Sequence, residues 1–421
     1  MATTINPTLL RHTMNVLEAA LDAGGPADGK LSAYFRENRE LGPLDRAFVA
    51  DTVYAVLRRR RFLEHVAGGD DPFGLVMACL LRFQGLSMRD LECQLSKTQE
   101  ERAKAIKAAS ADNLPLAVQA DVPDWMWERL AAQYGEQEAL ALARSLQQPA
   151  PLDLRVNRLR EERESVLALF AKEGIAAAPT PYSPAGVRLK DKITLNRHTL
   201  FIKGVIEVQD EGSQLLALLV APRRGEMVAD LCAGAGGKTL ALGALMHNSG
   251  RLYAFDVSER RLANFKPRMA RSGLSNVHPQ LIAKQHDQKL KRLAGKFDRV
   301  LVDAPCSGLG TLRRNPDLKW RQKPQDIMEL TIKQAAIMET AAKLVKPGGR
   351  LVYATCSLLR EENRDIVQSF LAAHPEFRLL NAAEILAQQN VALDTGEYLE
   401  LLPQKHGTDG FFAAAMEKAP T

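Results

Sequence analysis

Beyond about Gly204 the chain alternates short apolar β-type runs with longer stretches of helical spacing, and this rhythm leaves few folds open to it. Met227 to Leu231, Leu252 to Asp256, Pro279 to Ile282, Arg299 to Asp303 and Arg350 to Thr355 read as strands. Strands joined by helical crossovers build a parallel sheet covered on both faces, so residues 205–421 are expected to form an α/β, doubly wound domain. Ligands of such sheets sit at the carboxyl ends of the strands. There the chain places Asp230-Leu231-Cys232-Ala233-Gly234-Ala235-Gly236-Gly237-Lys238-Thr239, whose glycines let the backbone turn tightly and approach a ligand that a Cβ would exclude. Asp256 ends the next strand, where a carboxylate can accept both hydroxyls of a ribose. A nucleotide-like cofactor is expected at this turn.

The end of the turn, Gly237-Lys238-Thr239, also fits the right-hand half of a phosphate-binding loop, but the required first glycine is Cys232. A plain dinucleotide dehydrogenase would leave two other runs without a task. These are Asp303-Ala304-Pro305-Cys306-Ser307 and Thr355-Cys356-Ser357, each at the end of a strand candidate. Pro305 keeps the chain extended as it leaves the sheet, which directs the Asp303 carboxylate and the Cys306 thiol over the strand ends. A carboxylate so placed can hydrogen-bond the exocyclic amine and ring nitrogen of a cytosine. A thiolate adding to carbon-6 of that ring makes carbon-5 nucleophilic toward an electrophilic methyl group, and cysteine both adds and leaves again. Release of the product needs a base for the carbon-5 proton, which gives a second cysteine a role.

Ahead of this domain lie two further regions. Residues 1–120 read as all-helical, best seen where Phe48, Val49, Thr52, Val53, Val56 and Leu57 share one face, with helices expected again at Leu75 to Gln84 and Met88 to Ile106. Cys79 and Cys93 fall in these helices and are expected in the core. Residues 121–204 begin with a helix carrying Trp125, Trp127, Leu130 and Tyr134, whose aromatics are expected to be core, and continue as a small α+β unit.

Five cysteines with no C-x-x-C pair suggest neither a disulfide framework nor a metal site, and reduced thiols fit the cytoplasm. Met1 to Leu10 lacks the pattern of a secretory leader, and no window is apolar for the length of a bilayer, so no membrane role is expected. The net charge of +6 is concentrated at Arg58-Arg59-Arg60-Arg61, Arg223-Arg224 and Arg313-Arg314, which makes a polyanion a plausible partner.

Taken in order, Leu154-Arg155-Val156-Asn157, Val208-Gln209-Asp210-Glu211-Gly212-Ser213, the glycine turn, Asp303 to Ser307, Arg313-Arg314-Asn315-Pro316-Asp317, Tyr353 to Ser357 with Glu362-Asn363, and Asp409-Gly410-Phe411-Phe412 resemble the RsmB/Sun-type RNA cytosine carbon-5 methyltransferases. The resemblance covers nearly the whole chain. It implies a Rossmann-like methyltransferase sheet that uses S-adenosylmethionine, preceded by an all-α NusB-like RNA-binding domain and a small α+β RNA-binding unit. It implies Cys356 as the nucleophile at carbon-6, Cys306 as the residue assisting release, and Asp303 as the group orienting the cytosine close to the cofactor. Cys232, Ala233, Gly234, Ala235, Gly236, Gly237, Lys238 and Asp256 would hold that cofactor, with Asp287 on its adenine side. This chain has His286 where the family has glycine, Gly234-Ala235 where the family has alanine-proline, and fewer residues than the NusB-like domain between Phe62 and Trp125. Ribosomal RNA is the expected substrate and a monomer the expected state. Two rival readings are Cys306 as the nucleophile and a non-catalytic RNA-binding assembly factor.

Overall fold

A computed structural model describes residues 5–22, 24–91, 95–191, 193–283 and 287–420. They form two compact units, one of Met1–Pro149 with Thr311–Lys323 and one of Ala150–Gly310 with Pro324–Thr421.

The first unit is helical. Local signals start its helices: Asn6 accepts the amide of Leu9 ahead of Pro7–Leu21, and Asp71 accepts that of Gly74 ahead of Pro72–Arg82. Val49, Thr52, Val53, Val56 and Leu57 face inward from Pro43–Arg58 as their spacing requires, against Leu75 to Leu81. Cys79 lies in that core, whereas Cys93 falls outside the described residues. The helix expected over Met88 to Ile106 is instead a short turn at Met88–Asp90 and a helix at Lys97–Ala108, because Ser87 with Asp90 and Ser96 with Gln99 each cap a new start. On Asp124–Tyr134 the buried face is Met126 and Leu130; Trp125, Trp127 and Tyr134, expected in the core, are only half-buried.

The arginine run is largely occupied inside this unit. Arg58 donates to the carbonyl of Arg313 at 2.9 Å, Arg60 pairs with Glu64 at 2.6 Å, and Arg61 reaches Asp124 at 2.5 Å and the carbonyl of Val122 at 2.9 Å. Arg59 lies 3.7 Å from the buried Asp121, whose carboxylate also accepts the amide of Phe62 at 3.0 Å. These bonds fasten the 121–149 helices to the preceding ones. Residues 311–323 also belong to it: Trp320 Nε1 donates to the Leu57 carbonyl at 2.7 Å and Lys319 Nζ to that of Arg58 at 3.0 Å.

The second unit joins the small α+β region to the large sheet. Strands β1 (Leu152–Val156), β2 (Ala177–Pro179), β3 (Gly186–Leu189) and β4 (Ile206–Val208) form an antiparallel sheet in the order β2-β3-β1-β4. The helix Arg163–Lys172 packs Val166 and Phe170 against Leu154, Val187 and Ile206. The large sheet holds β5 (Met227–Asp230), β6 (Arg251–Asp256), β7 (Val277–Leu281), β8 (Phe297–Asp303), β9 (Val345–Thr355), β10 (Phe377–Leu380), β11 (Leu399–Leu401) and β12 (Phe411–Lys418). Its order is β10-β12-β9-β8-β5-β6-β7, with β11 on β12; β5 to β9 are parallel and β10 to β12 antiparallel. The five expected parallel strands are present. The chain goes from β5 out to β6 and β7 and then crosses back to β8 on the other side of β5, and this switch in strand order puts Asp230, Asp256 and Asp303 at one edge, where such sheets bind ligands.

Candidate active site

The glycine turn joins β5 to the helix Gly237–Leu245. Gly236 has φ +81°, and a Cβ there would stand 1.9 Å from Cδ2 of Phe265, so both the conformation and the space require glycine. Gly234, with φ +58°, donates its amide to Asp256 Oδ2 at 2.8 Å, while Ser258 donates to Oδ1 at 2.7 Å. The Ala233 amide bonds the Phe255 carbonyl at 2.9 Å, and the Ala235 carbonyl accepts Arg268 at 2.7 Å. Arg268 is itself held by the buried Glu207 of β4 at 2.8 Å, so the small sheet braces the turn. Below the turn, Thr239 donates to Asp230 at 2.7 Å, and burial pushes the Asp230 carboxyl up to about 7 against that hydrogen bond.

A cleft of about 650 Å³ opens beside the turn, walled by Cys232, Gly234, Asp256, Val257, Ile282, Asp303 and Cys306 among others. The volume is that of a small-molecule site. Asp256 has lone pairs left for a ribose after its two backbone donors, and exposed Val257 with Ile282 offers apolar walls for a purine. Arg260, Arg261 and Lys333 supply positive charge for a carboxylate. The residues present therefore fit a nucleoside carrying an amino-acid tail, such as S-adenosylmethionine. Burial and the neighbouring carboxylates Asp230, Asp303 and Asp256 push the Cys232 thiol up, which keeps it neutral.

Of the residues expected to hold the cofactor, Cys232, Gly234, Asp256 and Asp303 line this cleft, whereas Ala233, Ala235, Gly236, Gly237, Lys238 and Asp287 do not. Lys238 Nζ lies 2.7 Å from Asp303 Oδ2 and 5.6 Å from the centre of the Phe411 ring. Burial alone would lower the Lys238 pKa, but Asp303, with Cys356 and Asp230 adding to it, outweighs burial and raises the pKa above the ordinary value. Asp287 caps the short helix Gln288–Arg292 through the amide of Lys289 at 2.8 Å and closes a turn through that of Ala283 at 3.0 Å. Those two bonds hold its carboxyl below the usual range, and it is absent from the cleft wall; Gln285 and His286 lie outside the described residues.

The two cysteine runs converge. Cys306 Sγ and Cys356 Sγ are 3.5 Å apart although fifty positions separate them in the chain. The hydrogen bond to Cys356, burial, and then the negative fields of Cys356 and Glu362 raise the Cys306 thiol well above its ordinary value. The Gly310 amide donates to the Cys356 carbonyl at 2.8 Å, and the Gly310 carbonyl accepts the Gly410 amide at 2.8 Å, so Gly310 ties the run after β8 to those bounding β9 and β12. Sequence reasoning did not single out Lys238 as the partner of Asp303, nor the cleft walls Val257 and Ile282. The latter pair could have been found, because each follows the last residue of a strand that ends at the ligand edge.

Residues 217–417 match the family model for the 16S rRNA methyltransferases RsmB/F, and residues 122–196 match that for the ferredoxin-like domain of RsmF/B-like methyltransferases. The chain is similar to the probable ribosomal RNA small subunit methyltransferase B of Bacillus subtilis (strain 168), with 33% identity covering 77% of this chain and 72% of that one. Its similarity to the probable enzyme of the same name from Synechocystis sp. (strain ATCC 27184 / PCC 6803 / Kazusa) covers 91% and 93% at 32% identity. Among solved structures, PH0851 matches with a TM-score of 0.80 at 26% identity, covering 99% of this chain and 100% of its own. A methyltransferase homologue from Pyrococcus horikoshii matches with a TM-score of 0.63 at 29% identity, covering 73% and 99%.

Proposed function

Since the chain belongs to the RsmB/F family of methyltransferases, whose cofactor is S-adenosylmethionine, we propose that it methylates carbon-5 of a cytosine in small-subunit ribosomal RNA. The observation that carries the proposal is the meeting of Cys306 and Cys356 at 3.5 Å, with Asp303 and Cys306 both on the wall of the cofactor cleft. Two thiols at one methyl-transfer site suit a ring that must be activated by addition and restored by elimination.

The cofactor supplies a methyl group on a positively charged sulfur. The cytosine, unpaired or flipped out of its helix, lies with its exocyclic amine donating to Asp303, which Lys238 holds in place. The Cys356 thiolate adds to carbon-6, and the electron pair displaced from the 5,6 double bond would form the new bond from carbon-5 to the methyl group as the bond from that methyl to the cofactor's sulfur breaks, leaving its electron pair on the sulfur and cancelling the positive charge. Once Cys356 is a thioether it is neither a charge nor a strong acceptor beside Cys306, so two causes of the raised Cys306 pKa disappear together. Cys306 then gives its proton to solvent and takes the proton on carbon-5. The double bond re-forms, the carbon–sulfur bond breaks, and Cys356 returns as thiolate.

Bisulfite maps of total RNA from cells with and without the gene test the reading: one ribosomal cytosine should lose protection, and an unchanged map refutes it in favour of a binding factor. With RNA carrying that cytosine, Cys356→Ala should form no covalent adduct and Cys306→Ala should accumulate one. The reverse pattern would make Cys306 the nucleophile. Among the described residues no helix is long and apolar enough to cross a membrane. A cytoplasmic monomer acting on RNA is the simplest setting for this chemistry.

A further inference from the structure

The residues immediately after the two cysteines are both serines, and both bind one carboxylate. Glu362 Oε1 accepts the Ser307 amide at 2.8 Å and Gln334 Nε2 at 3.0 Å. Its Oε2 accepts the Ser307 hydroxyl at 2.5 Å and the Ser357 hydroxyl, and the two hydroxyl oxygens are 3.0 Å apart. Gln334 also donates to the Pro305 carbonyl at 3.0 Å, so the residues on both sides of Cys306 are fixed to the same cluster. Asn363, next to Glu362, donates to the Ser357 carbonyl at 3.0 Å, and Tyr353 Oη donates to the Glu362 carbonyl at 2.6 Å. Glu362, Ser307 and Gln334 are 0% exposed and Ser357 is 2% exposed.

A carboxylate buried this completely is costly, and an apolar contact would join two loops at less expense. Among the described residues no basic side chain forms an ion pair with Glu362, so its charge is balanced by hydrogen-bond donors alone. An ionised carboxylate only accepts, and it can take four donors at once from different directions. This is the one side-chain chemistry that grips two serine hydroxyls, a backbone amide and a glutamine amide at a single point. We propose that Glu362 is a positioning residue that sets the separation of the Cys306 and Cys356 sulfurs by holding the residue after each. The proposal rests on the two-cysteine reading of methyl transfer. Its field, acting with that of Cys356, also helps to keep Cys306 a thiol until it is needed.

Glu362→Gln keeps the size of the side chain, removes the charge and replaces one acceptor oxygen by a donor. With KM for RNA and the affinity for S-adenosylmethionine near wild type, kcat should fall about 100-fold, the usual consequence of a misplaced reacting group. Alkylation of Cys306 by iodoacetamide, followed against pH by mass spectrometry, should shift its midpoint down once the like charge is gone. Glu362→Asp keeps the charge without the reach, so it should lower kcat and leave the alkylation midpoint in place. If Glu362→Gln does not fold, the Ser307→Ala/Ser357→Ala double variant carries the same test: kcat down, midpoint unmoved. Wild-type kcat in variants that bind S-adenosylmethionine normally would overturn the proposal, as would a parallel loss of melting temperature, cofactor binding and kcat in all of them. The alkylation arm needs no RNA. A wild-type protein that forms no adduct on 5-fluorocytidine RNA would therefore refute the cytosine reading without being mistaken for failure of the Glu362 clamp.

Discussion

Adding a single methyl group at Gly310 should separate cofactor binding from chemistry. A Cβ there would lie 2.1 Å from the Gly410 carbonyl oxygen and 2.8 Å from that of Cys356. Carbon and oxygen that are not bonded approach to about 3.3 Å, so Gly310→Ala must open the Gly410 side by about 1.2 Å and the Cys356 side by about 0.5 Å. Neither neighbour is the end of a flexible side chain, and each is tied to Gly310 by a hydrogen bond of 2.8 Å, so relief has to come from moving backbone. Displacements of this size at the proposed nucleophile cost about 100-fold in rate, or roughly 2.7 kcal/mol of barrier. Overpacking should also remove about 1–3 kcal/mol of stability. Gly310 is not on the cleft wall, so affinity for S-adenosylmethionine should hold.

The assay is single-turnover methyl transfer from labelled cofactor, with calorimetric cofactor binding and a thermal melt on the same preparation. Gly29→Ala is the control. Gly29 lies in the helix Ala27–Glu37, where an added Cβ meets nothing within 4 Å, so the exchange should stabilise by about 0.5–1 kcal/mol and leave the rate alone. A Gly310→Ala protein that turns over at the wild-type rate would refute the claim that the contact between these backbones sets the thiol position.

Two further outcomes concern the helical unit. Burial pushes the Lys319 amine down from 10.5 to about 7, with Arg58 and Arg59 adding to the effect and Asp121 opposing it. The unfolded chain then binds the extra proton between about pH 7 and pH 10.5, so stability should rise with pH across that window, and the whole penalty is present below it. Lys319→Met should therefore melt higher than wild type by a margin that narrows as pH rises; a margin constant with pH would contradict the shift. The second concerns chain topology: Ala27 loses the Asp317 acceptor at 3.2 Å, and Leu57 its Trp320 donor at 2.7 Å, if residues 311–323 are missing. A 1–149 fragment should melt below the same fragment with 311–323 tethered to it, and Trp320→Ala in the full chain should cost about 2 kcal/mol in this unit. Identical melts would show that the segment merely lies against the helices.

Most of the parallel strands were legible because an apolar run closes on an acid or a polar group at the ligand edge, as at Asp230, Asp256 and Asp303; β7, which ends in Leu281, lacks that sign. Strand β12 was not, because Phe411-Phe412-Ala413-Ala414-Ala415-Met416 has helix-favouring alanines at its centre; pairing with β9 and β10 buries them and overrides that preference. The same kind of override moved residues 311–323 out of the sheet domain, since Trp320 finds its partners more than two hundred residues earlier in the chain.

Within the site, residue types were easier to read than directions. Lys238 ends a glycine turn, and sequence neighbourhood alone assigns it to the same ligand as the glycines. Yet it sits on the first turn of the helix Gly237–Leu245, and its side chain extends to Asp303. The arginine run shows the same distinction between residue type and direction. A string of four cations implies an outward field, but the backbone carbonyls of Val122 and Arg313 and the carboxylates of Glu64, Asp121 and Asp124 are closer to those guanidinium groups than any distant polyanion. Charge counted along a chain is therefore an upper limit on charge available to RNA. The exposed pair Arg223 and Arg224 is a better place than Arg58 to Arg61 to look for phosphate contacts.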